Sequence, residues 1–187
     1  MADLLRVAVR SRLNILVSGP AGSGKTALLA ALARDIEEAR VVTVARHRAF
    51  RTAAPQRIEL VAQGEAAPLP ALMSAGASLR PDLLVVDSVQ LEDVPELVER
   101  LSRGTRGTVA ALEPASLAAG LAHAVDVVVR LGRGADGRYR VVSLQDAEGM
   151  AVFVHESGHF VRRSTRPAFA GAVAAAGHAG SLAATLR

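Results

Sequence analysis

A glycine-rich run near the N-terminus holds the only lysine of this 187-residue chain. The residues of this run are Gly19, Pro20, Ala21, Gly22, Ser23, Gly24, Lys25 and Thr26, with Ala27 directly after them. This is the pattern of a phosphate-binding P-loop, in a chain whose 22 basic residues are otherwise all arginine. The compact ammonium of a lysine reaches between the β- and γ-phosphates of a nucleotide, and the wide planar fork of an arginine cannot replace it. The sequence therefore predicts that residues 19–27 bind a nucleoside triphosphate.

The segments on either side of this run supply the context that a phosphate site needs. Residues 13–18 are typical of a buried strand, and residues 27–39 are typical of an Ala/Leu-rich helix. In the order strand, glycine loop, helix, the backbone N–H groups of the loop surround the phosphates. We expect the Thr26 hydroxyl to bind Mg²⁺ beside them.

Two carboxylates end later apolar runs and are candidates for the chemistry of the same site. Residues 83–87 are typical of a buried strand that ends at Asp87, which we expect to hold Mg²⁺ through water, opposite Thr26. The next residue is Ser88, where many P-loop ATPases carry a glutamate that polarises the attacking water, and a serine cannot act as that base at neutral pH. Glu113, at the end of the next strand, is a candidate catalytic substitute; alternatively it is a solvated residue before a proline.

Two other motifs match patterns of catalytic or cofactor sites but lie in the wrong structural context. Residues 155–159 fit the HExxH pattern of zinc proteases, which requires a helix, whereas here Ser-Gly at the centre lies between two strand-like runs. Residues 132–137 fit the GxGxxG dinucleotide pattern, which must open a helix, whereas a strand-like run follows. Both segments are therefore predicted to be hairpin turns. His47 and His123 are isolated, and isolated histidines are more often structural.

The composition excludes several classes of function. There are no cysteines, which removes disulfides, thiolate metal sites and thiol catalysis and suits a cytoplasmic protein. No apolar run is long enough to span a bilayer, and the N-terminus lacks the apolar core of a signal peptide. Aromatic residues make up only 3% and the arginines are scattered, so binding to nucleic acid is not expected despite a net charge of +4.

The order of elements predicts the fold. Predicted helices cover residues 4–12, 27–39, 68–79 and 92–102, and predicted strands cover 13–18, 40–45, 57–62, 83–87, 107–112, 127–131, 138–144, 150–154 and 160–163. Apolar strands that alternate with helices indicate an α/β fold with a mostly parallel sheet covered by helices on both faces. The short strands after Asp126 indicate C-terminal antiparallel hairpins. We expect a single domain over residues 1–187, with 127–187 as its antiparallel extension and Ala-rich C-terminal tail.

The chain resembles one branch of P-loop proteins over nearly its whole length. The likeness lies in residues 12–19, 79–86 and 107–112 and in the closing segments 138–144, 148–150 and 158–160. These segments resemble the C-terminal ATPase domain of the type II/type IV secretion ATPases, especially the CpaF-like motors of Tad/Flp pilus assembly. The resemblance implies a RecA-like P-loop NTPase domain, ATP with Mg²⁺ as the ligand, and a hexamer-forming family. It also implies that the family's N-terminal domain, which helps to enclose the nucleotide, is missing here.

The departures from this family fall on its catalytic positions. The resemblance implies acidic residues at the end of the second strand, where this chain has Ala45, Arg46 and His47. It implies a glutamate at Ser88 and a histidine at Glu113. The family has glycine at Asp87, so the magnesium role of Asp87 is inferred from its position and not from the resemblance. Loss of one catalytic group typically lowers a rate by ~10²–10⁴-fold, so three changes predict little turnover.

An intact P-loop beside missing catalytic groups predicts a nucleotide-responsive regulator or assembly subunit with weak or absent hydrolysis. Its partner would be a protein of a pilus or secretion machine, or a full-length homologous ATPase. The alternative is an active oligomeric ATPase of the same fold, in which Glu113 or a neighbouring subunit orients the water and Arg46, Arg100 or Arg103 acts across the interface. A small-molecule kinase and a scaffold that no longer binds nucleotide are further alternatives.

Overall fold

The computed structural model describes residues 1–34, 36, 39–48, 56–113, 121, 124–134 and 136–186. Its helices are α1 (Ala2–Arg10), α2 (Lys25–Arg34), α3 (Leu69–Ser78), α4 (Val94–Ser102), α5 (Ala170–Ala175) and α6 (Ala179–Thr185). Its strands are β1 (Ile15–Ser18), β2 (Val41–Ala45), β3 (Arg57–Val61), β4 (Leu83–Val89), β5 (Thr108–Leu112), β6 (Val127–Arg133), β7 (Tyr139–Asp146), β8 (Ala151–Glu156) and β9 (His159–Arg162). Short 3-10 turns cover Gly64–Ala66 and Leu91–Asp93.

The strands described here form one sheet with the order β3-β2-β4-β5-β1-β6-β7-β8-β9. All pairings from β3 to β6 are parallel, and those from β6 to β9 are antiparallel. The predicted fold class is therefore confirmed. The carboxyl end of β1 lies between the carboxyl ends of β5 and β6, and this edge is where ligands bind in open α/β sheets.

Helices pack on both faces of this sheet because successive strand residues point to opposite sides. Ile15 and Val17 of β1 belong to one buried cluster with side chains of α1, α2 and α5. Leu16 belongs to the other cluster, together with side chains of α3 and α4. β1, β2 and β5 are buried at every position, which explains why their sequences are near-continuous apolar runs rather than alternating ones.

The two C-terminal helices pack against the first cluster. Phe169, Val173 and Leu182 are buried in it, and α6 contacts α1. Asp146, which is also buried, fixes the start of this tail. Its Oδ1 accepts hydrogen bonds from the backbone N–H groups of Glu148 (3.1 Å) and Met150 (2.9 Å), and its Oδ2 accepts one from Ala168 at 3.0 Å. One carboxylate therefore links the β7–β8 turn to the tail.

The predicted elements exist, and their ends differ by a few residues for local reasons. α1 ends two residues before the predicted Arg12, which has a φ of +54° and cannot continue a helix. α2 begins at Lys25 because the P-loop turns directly into the helix, and its predicted end at residue 39 lies beyond residues that the structure leaves undescribed. None of the helices in the described part of the chain has the length and apolarity that a membrane span requires.

Candidate functional site

The P-loop connects β1 to α2 and adopts a conformation that its glycines make possible. Gly22 and Gly24 have φ values of +71° and +92°, which side chains disfavour. Gly19 is needed for another reason, because a Cβ there would lie 2.7 Å from Ser23 Oγ and 2.8 Å from Leu131 Cβ. The loop is thus pressed against β6 on one side and open on the other.

The ammonium of Lys25 lies inside this loop with all its hydrogens engaged. A lysine has three N–H donors. Nζ donates to the carbonyl oxygens of Gly19 at 2.6 Å and Pro20 at 2.9 Å, and to Oε1 of Glu113 at 2.9 Å. The Lys25 side chain is 12% exposed, whereas that of Glu113 is 49% exposed. Glu113 follows β5, and β5 is paired with β1, which brings this carboxylate to the mouth of the loop.

Thr26 and Asp87 meet on the other side of the loop. The Thr26 hydroxyl donates to Oδ2 of Asp87 at 2.8 Å, and Asp87 is buried. Oδ1 of Asp87 accepts a hydrogen bond from the N–H of Ser88 at 2.9 Å. The pairing of β4 with β5 shifts register between Val86 and Val89, which marks a β-bulge, and Ser88 in that bulge has a φ of +61°. Leu83 and Val85 are buried in the cluster that includes Leu29 of α2, so regular alternation along β4 already places Asp87 on the face of the P-loop helix, and the bulge turns Val89 to the other face.

These residues line one cavity of about 270 Å³. Its walls include the predicted site residues Ala21, Gly22, Lys25, Thr26, Asp87 and Glu113. The structure therefore brings both carboxylates and the P-loop together. The rest of the wall consists of Ser88, Val89, Gln90, Ala111 and Leu112.

The oxygen ligands that line this cavity fit a magnesium-bound nucleotide. A hydroxyl and a carboxylate 2.8 Å apart are hard oxygen ligands, which Mg²⁺ prefers when it is held by few protein groups and by phosphates. The buried hydroxyl of Ser23 has no hydrogen-bond partner within the described residues, as expected of a loop that is completed by a ligand. Thr26 and Asp87 would hold the metal, and the loop would hold the phosphates.

A charged network that the sequence did not reveal lies next to this cavity. Arg46, which follows β2, donates from Nη2 to Oδ2 of Asp93 at 2.7 Å and from Nε to the carbonyl oxygen of Ser88 at 3.3 Å. Asp93 is buried and also accepts a hydrogen bond from the N–H of Gln90 at 2.8 Å. Gln90 and Asp93 form a reciprocal capping box. The capping box could have been predicted from the sequence, because Gln90 has an acceptor side chain and the carboxylate of Asp93 follows three residues later.

The arginines that we considered for action across a subunit interface all have partners within their own chain. Arg46 is bound as described, and Arg100 donates from Nε to Oε1 of Glu96 at 2.8 Å. Arg103, which directly follows α4, forms an ion pair with Glu99 of that helix. None of the three lines the cavity around the P-loop.

The two other motifs are turns, as their context predicted. Residues 157 and 158 form the turn between β8 and β9, and the His155 ring packs edge-on against Phe160 with centroids 5.2 Å apart. No group of three potential metal ligands among His, Cys, Asp and Glu occurs in the described part of the chain. Gly132 pairs with Arg140 across β6 and β7, so the glycine-rich segment belongs to a hairpin. His47 is exposed, and His123 lies outside the described residues.

The geometry agrees with what comparisons of the chain with known proteins find. Residues 1–148 match the family model described as the AAA ATPase domain. No protein of curated function matches the chain in sequence.

Several solved structures share the fold at low sequence identity. The VirB11 ATPase of the Brucella suis type IV secretion system, solved with sulphate, has a TM-score of 0.68 at 19% identity over 79% of this chain and 52% of that one. The Legionella pneumophila ATPase DotB has a TM-score of 0.56 at 15% identity over 79% and 48% of the two chains. The pilus retraction motor PilT, solved with bound ADP, has a TM-score of 0.55 at 17% identity over 74% and 48%. This chain thus spans about half the length of the proteins whose fold it shares.

Proposed function

The chain belongs to the AAA ATPase domain family, and from this premise we propose that it binds ATP with Mg²⁺, hydrolyses it weakly or not at all, and acts as a nucleotide-responsive regulator or assembly partner. One observation carries the proposal. The cavity holds an intact P-loop and a Thr26–Asp87 pair suited to Mg²⁺, but neither of its carboxylates is available as a base.

The engagement of both carboxylates supports weak hydrolysis. A general base must hold the attacking water within hydrogen-bond reach, about 2.6–3.2 Å. Asp87 is occupied by Thr26 and by the N–H of Ser88, and the metal would take its free lone pairs. Glu113 is bound to Lys25, and when a γ-phosphate replaces it there, the repulsion between the two charges moves the carboxylate away from the phosphate that a water would attack. Ser88 stands where a glutamate polarises water in many P-loop ATPases, and its hydroxyl is too weak a base. Without such a group, the expected loss of rate is ~10²–10⁴-fold.

The assignment of this chain to a pilus or secretion machine rests on the resemblance of its sequence to the CpaF-like branch of secretion ATPases. A domain that binds ATP without turnover has a conformational output, in which nucleotide favours one state and a partner reads it. We place that partner in a pilus or secretion machine, where a full-length homologous ATPase or a second copy of this chain could fill the role. The fold shared with VirB11, DotB and PilT is compatible with this assignment. A cytoplasmic location is part of the same proposal.

A second candidate is an active oligomeric ATPase that powers pilus assembly or type II/type IV secretion. The position of Glu113 in the wall of the cavity favours it, because this carboxylate would lie near the attacking water if it left Lys25. Glu113→Gln distinguishes the two candidates. Hydrolysis that is measurable in the unchanged protein and lost in the variant supports the motor.

The experiment that tests the main proposal measures ATP affinity by calorimetry with Mg²⁺ and phosphate release on the same sample. We expect saturable binding, release slower than in ordinary ATPases, and loss of binding in Lys25→Ala. Arg103→Ala is the matched control, because it also removes one positive charge but lies on the exposed end of α4. Rapid release that Lys25→Ala abolishes would contradict the regulator, and absence of any binding would contradict both candidates.

A further inference from the structure

The saturated ammonium of Lys25 limits how a nucleotide can bind. The P-loop lysine contacts the β- and γ-phosphates of a bound triphosphate. Here its hydrogens are directed at Gly19 O, Pro20 O and Glu113 Oε1. Any phosphate that Lys25 contacts must replace one of these acceptors. The two carbonyl oxygens belong to the loop itself, whereas Glu113 lies on a half-exposed side chain that can rotate into solvent.

Because Glu113 is charged, whether a nucleotide displaces it from Lys25 depends on the number of phosphates that the nucleotide carries. Two like charges about 4 Å apart repel each other, and the repulsion grows as the medium becomes less polar than water. A γ-phosphate next to Lys25 would place its charge against the Glu113 carboxylate, which lies 2.9 Å from Nζ. A diphosphate ends at the β-phosphate, which can replace one of the two loop carbonyl oxygens on Lys25, and Lys25 can then keep Glu113 as a partner.

We propose that Glu113 determines the nucleotide selectivity of this site: its ion pair with Lys25 favours a nucleoside diphosphate, and a triphosphate binds only by displacing the carboxylate. The inference rests on the proposed function, since it presupposes that the P-loop binds nucleotide. It gives Glu113 a role other than the catalytic one expected from the sequence. It also identifies the first movement that distinguishes the two nucleotide states, which is release of Glu113 from Lys25.

The test compares the affinities of ADP and of a non-hydrolysable ATP analogue, each with Mg²⁺, by calorimetry. In the unchanged protein we expect ADP to bind more tightly. In Glu113→Gln we expect the analogue to gain about tenfold in affinity and ADP to change by less than about threefold, in line with the repulsion between nearby charges. Glu99→Gln is the matched control, because Glu99 is also about half exposed and ion-paired with a basic side chain, Arg103, but does not line the cavity. We expect it to change neither affinity.

The single lysine provides a second readout that does not depend on affinity. A sample labelled with ¹⁵N-lysine gives one side-chain ammonium signal, which belongs to Lys25. We expect Glu113→Gln to shift this signal without nucleotide, and Glu99→Gln to leave it in place. An unchanged affinity ratio in Glu113→Gln, with both nucleotides still binding, would overturn the selectivity role alone. Failure of both nucleotides to bind the unchanged protein and Glu113→Gln would overturn the proposed function as well.

Discussion

Gly19 shows how closely a single residue of the P-loop is constrained by its neighbours. The position where its Cβ would lie is 2.7 Å from Ser23 Oγ, 2.8 Å from Leu131 Cβ and 3.0 Å from Leu131 O. A Ser23 hydroxyl can rotate, but the backbone of β6 cannot move without disturbing its pairing with β1. The shape of the loop therefore depends on the absence of one methyl group.

We predict that Gly19→Ala destabilises the protein by about 1–3 kcal/mol, the usual effect of overpacking, and weakens nucleotide binding because the loop must shift. Gly171→Ala is the matched control. Gly171 lies in α5 with open space around its Cβ position, so the same change should stabilise the protein by about 0.5 kcal/mol through helix propensity. Urea unfolding measures both changes in the free energy of unfolding. Equal effects of the two substitutions would contradict the contact argument.

Individual site residues could be predicted from the sequence only where the signal is local. The P-loop pattern identifies Lys25 and Thr26 directly, and Asp87 follows from the rule that parallel strands end at the same edge. The partner of Lys25 could not be deduced, because the sequence does not state that β5 lies next to β1. For the same reason, the ion pair of Arg46 with Asp93 was not anticipated: it depends on β2 and β4 being neighbours.

At the scale of elements, the bulge at the end of β4 is the feature that shapes the site. Regular alternation along β4 puts Leu83, Val85 and Asp87 on the face that packs against α2, which carries Thr26. The bulge comes directly after Asp87: it turns Val89 to the opposite face and leaves Ser88 in the left-handed region, where residues other than glycine are strained. The carbonyl oxygen of Ser88 then accepts a hydrogen bond from Arg46, which connects the end of β2 to the bulge.

We predict opposite effects of two substitutions at Ser88. Ser88→Gly removes the strain of the positive φ, about 1–2 kcal/mol, and adds chain entropy to the unfolded state, so a net gain in stability of about 0.5–1 kcal/mol is expected. Ser88→Val places a β-branched side chain in the same conformation and should cost about 1–3 kcal/mol. Thermal unfolding of both variants measures these differences. A loss of stability in Ser88→Gly would indicate that the bulge stores no strain.

The order of the helices and strands could be predicted because it depends on periodicity, which is local. Continuous apolar runs predicted the buried parallel strands, and short strand-like runs between Gly/Asp turns predicted the hairpins. The order of strands in the sheet depends on which edges meet in three dimensions, and no pattern in residues 107–112 places β5 between β4 and β1. Glu92 and Asp93 were predicted as the start of the helix 92–102 but belong to the 3-10 turn Leu91–Asp93, whose hydrogen bonds span three residues where those of an α-helix span four.

At the scale of the whole molecule, the C-terminal tail is the part that the family match does not reach. The match ends at residue 148, whereas β8, β9, α5 and α6 follow it. In the structure, Phe169 is buried in the same cluster as Leu4 of α1 and Ile15 of β1. The prediction of one domain over residues 1–187 therefore requires that the tail and the P-loop segment unfold together.

We predict that Phe169→Ala lowers the free energy of unfolding by about 3–5 kcal/mol, as expected for a buried aromatic side chain, and that the whole protein unfolds in one transition. Phe160→Ala is the matched control: Phe160 is 36% exposed on the edge strand β9 and contacts the His155 ring, so about 1 kcal/mol or less is expected. Circular dichroism and the ¹⁵N signal of Lys25, followed together in urea, report the sheet and the P-loop. If the two probes gave different midpoints in Phe169→Ala, the tail would be an independent unit and the single domain would be wrong.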